Sequence, residues 1–149
     1  RPSGDAVLAT IEEAIAAYSR VEDPESREFF SARGRVGRML IQRGDSSGSA
    51  EFFDLQRQAY PELREQLYAL ESELLVQARL LDASMALLNQ ALAELPEATS
   101  LRYSRAMLGE RLDDLALMES DLRHILEQDP DNATALNALG YTLSGHFRL

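Results

Sequence analysis

Residues 127–143 read EQDPDNATALNALGYTL, from Glu127 to Leu143. One apolar helical run closes at a Pro-Asp-Asn turn, and a second begins that carries Gly140 between Leu139 and Tyr141. A glycine in a helix interior costs roughly 0.5–1 kcal/mol against alanine. Close packing is one reason to keep it: a neighbouring helix needs that spot empty. If so, a small residue recurs along the chain at a fixed interval.

Working outward, Pro61, Pro96 and Pro130 stand 35 and 34 residues apart, and each closes a helical run: LQRQAYP, NQALAELP, HILEQDP. Proline is tolerated in the first turn of a helix but not in its interior, so these are junctions. Between them lie pairs of helical runs, PELREQLYALESELLVQARLL with DASMALLNQALAEL, then EATSLRYSRAMLGERL with DDLALMESDLRHILEQ. A period near 34 with two helices in each resembles the tetratricopeptide pattern. That pattern has bulky residues at repeat positions 4, 7, 11 and 24, small ones at 8, 20 and 27, and proline at 32.

The register can be checked. Started at Phe30, it places Val36, Gly37, Leu40, Ser49, Phe53 and Pro61 at positions 7, 8, 11, 20, 24 and 32. Started at Glu65, it places Tyr68, Ser72, Leu75, Ser84, Leu88, Ala91 and Pro96 at positions 4, 8, 11, 20, 24, 27 and 32. Started at Thr99, it places Ala106, Leu122 and Pro130 at 8, 24 and 32; started at Ala133, it places Leu136, Leu139, Gly140 and Leu143 at 4, 7, 8 and 11. Position 8 is thus Gly37, Ser72, Ala106 and Gly140, and Gly140 is expected where two helices meet. There are misfits. Glu71 and Arg105 fall on the apolar position 7, Gly109 on position 11, and Met118 and Ile125 on the small positions 20 and 27. The third repeat reads as degenerate or as slipped by a residue.

The expected architecture is all-α: one solenoid of antiparallel helix hairpins over 1–149, about eight helices, in a right-handed superhelix. It divides into a lone second-type helix over 5–23, repeats over 26–61, 62–96 and 98–130, and a lone first-type helix over 132–145. No period-two alternation runs long enough for a strand. Gly44 reads as a helix C-cap, and Asp82 and Asn132 as N-caps. Neither end shows a clear polar cap, and there is no initiating Met, signal peptide or lipidation motif, so the chain reads as part of a longer array.

Composition narrows the function classes. The 149 residues are 45% apolar, as in ordinary globular domains. No apolar run is long enough to span a bilayer. There is no cysteine, which excludes disulfide and thiol chemistry, and the net charge of −10 opposes binding to nucleic acid or an anionic membrane. All fifteen basic residues are arginine, a bias that a GC-rich genome explains.

The stretch from Leu101 to Leu143, with its string D-L-R-x-I-L-x-x-x-P-x-N-A-x-A-L-N-A-L-G-Y-T-L, resembles the tetratricopeptide lipoproteins of Gram-negative bacteria, pseudomonads above all. The family continues GYTLAD where this chain reads GYTLSG, and the lipid-bearing N-terminal cysteine is missing. The resemblance implies a periplasmic adaptor, anchored to the outer membrane through the full-length parent. Such an adaptor binds and activates a carboxyl-terminal processing protease that degrades cell-wall hydrolases.

No constellation points to chemistry. Arg43-Gly44-Asp45 is a helix end and turn rather than an adhesion signal. Asn132-Ala133-Thr134 fits a glycosylation acceptor, but a helix cap accounts for it. His124 lies three residues from both Asp121 and Glu127; with no second histidine nearby and no cysteine, a surface ion pair is expected rather than a metal site. The acidic pairs Glu12-Glu13 and Asp113-Asp114 sit where helix starts and solvent explain them. No nucleophile motif or phosphate loop occurs, so no catalytic residue, metal or cofactor is expected.

Candidate binding residues come from two places. Arg35 and Arg38 share a helix face at i, i+3, in a locally basic stretch that either docks an acidic segment or pairs with neighbouring acids. In these repeats the first helix lines the concave groove through positions 2, 5, 9, 12 and 13. Those positions include Ala69, Glu73, Gln77, Tyr103, Met107, Arg111, Asn137 and Tyr141. Tyrosine, methionine and arginine are enriched at interfaces, and an asparagine amide can bond a peptide backbone. The partner-binding set is therefore Tyr103, Met107, Arg111, Asn137, Tyr141, Arg35 and Arg38. The expected function is a non-catalytic protein-binding scaffold, an adaptor for the processing protease. The alternative is a peptide-binding or assembly module in envelope biogenesis or secretion, and self-association through the end helices is open.

Overall fold

The computed structural model describes residues 12–13, 15–18 and 20–146, and among them the chain is helical with no strand. Seven α-helices follow the N-terminal helical residues: α1 (Phe29–Gln42), α2 (Ser46–Ala59), α3 (Arg64–Gln77), α4 (Leu81–Glu94), α5 (Thr99–Arg111), α6 (Leu115–Gln128) and α7 (Ala133–Tyr141). A 3-10 turn, Pro61–Leu63, leads into α3, and a π-helical turn, Thr142–His146, continues α7. The all-α expectation thus stands, and the three prolines fall between helices: Pro61 before α3, Pro96 between α4 and α5, Pro130 between α6 and α7. Of the helix expected over 5–23, residues 12–13 and 15–18 are helical; residues 1–11, 14 and 19 lie outside the described residues.

The same turn closes the first helix of each pair. Gly44, Arg79 and Asp113 have φ of 86°, 63° and 60°. The next residue's N–H reaches back across the turn in each case: Asp45 to the Leu40 carbonyl at 2.9 Å, Leu80 to Leu75 at 2.8 Å, Asp114 to Gly109 at 2.7 Å. These bonds satisfy carbonyls that the helix end leaves without partners. Asp45, Asp114 and Asn132 then cap α2, α6 and α7 by accepting from the N–H groups of Gly48, Leu117 and Ala135. Asp82 is not a cap; it lies in the first turn of α4.

The chain divides into two compact units, up to Leu80 and from Leu81. In the first, α1 packs on α2 and α3 around Phe29, Val36, Phe53, Leu67 and Tyr68. Gly37 is what lets α1 approach: a Cβ there would stand 2.6 Å from the Phe53 ring and 2.9 Å from Leu74. Arg33 is buried beneath Phe29, its guanidinium 3.7 Å from the ring centre. It donates to Gln56 and to the Val21 carbonyl, both at 2.7 Å, tying residue 21 to α1 and α2.

In the second unit, α5 and α6 form the most extensive contact, and α7 closes the core of Ala106, Met118, Leu122, Ile125, Ala135 and Leu139. The long side chains at the nominally small positions 118 and 125 are fully accommodated there. Gly109 is also explained. A Cβ on it would meet the Asp114 carbonyl at 3.1 Å, because the turn into α6 folds back over α5.

Gly140 departs from expectation. It is exposed, and a Cβ there would meet nothing within 4 Å. Position 8 packs against the second helix of its own hairpin, and no such helix follows α7 among the described residues.

Candidate functional site

A groove of about 410 Å³ runs between α5 and α7, lined by Tyr103, Met107, Glu110, Met118, Thr134, Asn137, Ala138 and Tyr141. It brings together four of the seven residues named from the sequence: Tyr103, Met107, Asn137 and Tyr141. The reason is the helical repeat. Residues 103, 107 and 110 recur on one stripe of α5, and 134, 137, 138 and 141 on one stripe of α7. On α7 the opposite stripe is spent on the core, where Ala135 and Leu139 pack against α6; Ala106 joins that core from beside the α5 stripe. Met118 comes from α6 and forms the floor; it is almost wholly buried, and the Thr142 hydroxyl lies 3.5 Å from its sulfur.

The groove has an apolar floor and a polar rim. Met107, Met118 and Ala138 offer thioether and methyl surface, and methionine adapts to irregular partners. The hydroxyls of Tyr103 and Thr134, the Glu110 carboxylate and the Asn137 amide make no side-chain hydrogen bond or ion pair with the described residues. Tyr141 is 61% exposed at the edge. Apolar floor with unengaged donors and acceptors around it is the composition of a recognition surface.

Two of the groove residues were within reach of the register. Glu110 is position 12 of the repeat beginning at Thr99, and Thr134 is position 2 of the repeat beginning at Ala133. Neither belongs to a type enriched at interfaces, so composition passed over them. Met118 carries no such signal, because its position is assigned to the core. Arg111 does not join the groove; it is exposed at the end of α5.

Arg35 and Arg38 also part company. Three residues advance a helix by less than a full turn, so the two side chains straddle a crest of α1. Arg35 leans toward the N-terminal helical residues, donating to the Tyr18 hydroxyl at 3.3 Å beside a hollow of about 270 Å³. Arg38 turns toward α3 and lines a groove of about 200 Å³ with Ile41, Gln42, Leu74, Gln77 and Ala78. They do not form one docking stripe.

The ionic groups elsewhere in the molecule serve the fold. Arg57 and Glu71 meet at 2.6 Å in the first unit, with the Arg57 guanidinium 4.1 Å from the Tyr68 ring centre. Asp121 takes Arg105 at 2.7 and 2.8 Å and Arg102 at 3.3 Å. The surface ion pair expected of His124 with Asp121 or Glu127 is not made: the arginines hold the Asp121 carboxylate, and Glu127 makes no ion pair with the described residues. His124 borders a crevice of about 10 Å³ beside Pro96 and Arg102, with room for no ligand larger than a water. Among the described residues no group of histidines and acids could hold a metal ion, and no helix is long and apolar enough to cross a membrane.

No protein-family model matches the chain. Over 131 residues, 88% of the chain, it is 38% identical to the TPR repeat-containing protein PA4667 of Pseudomonas aeruginosa, and it spans 22% of that protein's length. The solved structure of MamA MSR-1 C2 superposes with a TM-score of 0.53 at 15% identity, covering 91% of this chain and 76% of that one. At that identity the structural likeness speaks to the fold. Both likenesses are to tetratricopeptide-repeat proteins.

Proposed function

Because this chain is an all-α tetratricopeptide-repeat protein with a polar-rimmed groove between α5 and α7, we propose that it is a non-catalytic scaffold that holds a protein partner in that groove. The observation that carries the reading is the groove itself: four polar side chains without partners around a methionine floor. Nothing beside them resembles a nucleophile with its base. The groove residues sit on α5, α6 and α7, with α5 and α7 both packed on α6, so little ordering is required on binding.

The finer reading is an adaptor of the bacterial envelope. In it the parent protein sits in the periplasm, tethered to the outer membrane, and brings a carboxyl-terminal processing protease to substrates such as cell-wall hydrolases. The repeat string from Asp121 to Leu143 and the 38% identity to a pseudomonad repeat protein support this reading.

The test is co-elution on a sizing column of this chain, and of its full-length parent, with the host's periplasmic processing protease. Co-elution of both places the docking surface within these helices. Co-elution of the parent alone moves it to another part of the array. If neither binds, the protease adaptor reading is wrong, and capture of short peptides by the chain then favours a general peptide-binding or assembly module.

A further inference from the structure

We infer that the α5–α7 groove selects a basic, apolar polypeptide segment, one that sets an arginine or lysine against Glu110 and an aliphatic side chain on Met107, Met118 and Ala138. The inference rests on the reading of this groove as a partner site.

Its ground is the charge inside the groove. Among the described residues Glu110 is the sole carboxylate that lines it, half-buried and without an ion pair. No cation lines it. Arg102 and Arg105 are held by Asp121, and Arg111 is exposed outside the groove. From α6 only Met118 enters, and the α7 lining, Thr134, Asn137, Ala138 and Tyr141, carries no formal charge. A neutral segment laid along this floor would strip water from the Glu110 carboxylate and return nothing, which is costly for a charged group. An acidic segment would add like-charge repulsion. A guanidinium or ammonium offsets the lost hydration with a charge-assisted hydrogen bond.

Two further features favour the same occupant. The rings of Tyr103 and Tyr141 line the same groove, and aromatic faces attract cations. The chain as a whole carries −10, so its field gathers basic segments and repels acidic ones before contact. Asn137 and Thr134 can meanwhile bond the segment's backbone.

The experiment uses three fluorescein-labelled decapeptides, identical and leucine-flanked except for one central arginine, glutamine or glutamate, titrated against the whole chain by fluorescence anisotropy. The arginine peptide is expected to bind about tenfold more tightly than the glutamate peptide, as for a partly desolvated ion pair, with the preference shrinking as salt is raised. Glu110→Gln, nearly isosteric, removes the preference, and Glu110→Arg reverses it; circular dichroism checks that both variants fold. Ala138→Trp fills the groove and separates the two claims. Binding that is blocked by Ala138→Trp but indifferent to peptide charge overturns the basic-segment inference and leaves the groove as the partner site. If no peptide binds, or binding survives Ala138→Trp, both fall.

Discussion

Glu71 is 3% exposed, and its carboxylate meets Arg57 at 2.6 Å. Removing one member of such a pair leaves an uncompensated charge in the interior, whereas replacing both with apolar groups need not destabilise. Glu71→Ala is therefore expected to cost about 3–5 kcal/mol. The double variant Arg57→Met with Glu71→Leu is expected to recover most of it, as read from urea denaturation midpoints. Burial pushes the Glu71 carboxyl above the usual carboxylate range, with the Arg57 hydrogen bond and charge opposing. The folded value is then the higher one, so as pH rises the unfolded chain gives up this proton first. Glu71's share of stability is full below the ordinary glutamate range and is lost as pH climbs through the raised value. Against Glu71→Gln, the wild-type chain should lose ground as pH rises from the ordinary glutamate range; a gap that does not move, or that widens in favour of wild type, contradicts it. The sequence shows that Glu71 and Arg105 break the apolar pattern at position 7. It does not show why, because their partners Arg57 and Asp121 lie 14 and 16 residues away on other helices.

At the scale of helices and turns, position 8 supplies a paired test. Gly37→Ala would press a methyl group into the Phe53 ring and Leu74, while Gly140→Ala meets open space. The first substitution should destabilise by about 1–3 kcal/mol through overpacking. The second should stabilise by roughly 0.5–1 kcal/mol, because alanine is the better helix former. Thermal melts of the two variants check the opposite signs. The turn after α3 offers another. Arg79 holds a left-handed backbone at φ 63° that suits glycine, and Gly44 fills the matching place after α1. Arg79→Gly should raise the melting temperature, relieving a cost of roughly 1 kcal/mol. These elements were largely legible beforehand. Three prolines at a near-constant interval marked the junctions, and Asn132 and Gly44 read correctly as a cap and a helix end. Gly140 did not. A register fixes which way a residue faces, but not whether a neighbour stands there to be packed against.

For the molecule as a binder, the same repeat register located the groove to within a few residues. It found Tyr103, Met107, Asn137 and Tyr141, and it held Glu110 and Thr134 at groove positions without a compositional reason to choose them. It could not find Met118, whose side chain reaches the floor from the core. It also joined Arg35 and Arg38, which border separate hollows on either side of α1. The central claim is that partners dock between α5 and α7, and the four methionines, Met39, Met85, Met107 and Met118, are well placed to test it. Met107 and Met118 line the groove; Met39 and Met85 do not. The chain would be labelled with ¹³C at the methionine methyl groups and titrated with the processing protease while the four methyl resonances are followed by NMR. Docking in the groove should make Met107 and Met118 shift or broaden while Met39 and Met85 hold still. Binding that moves Met39 or Met85 and leaves the groove pair unchanged would contradict it.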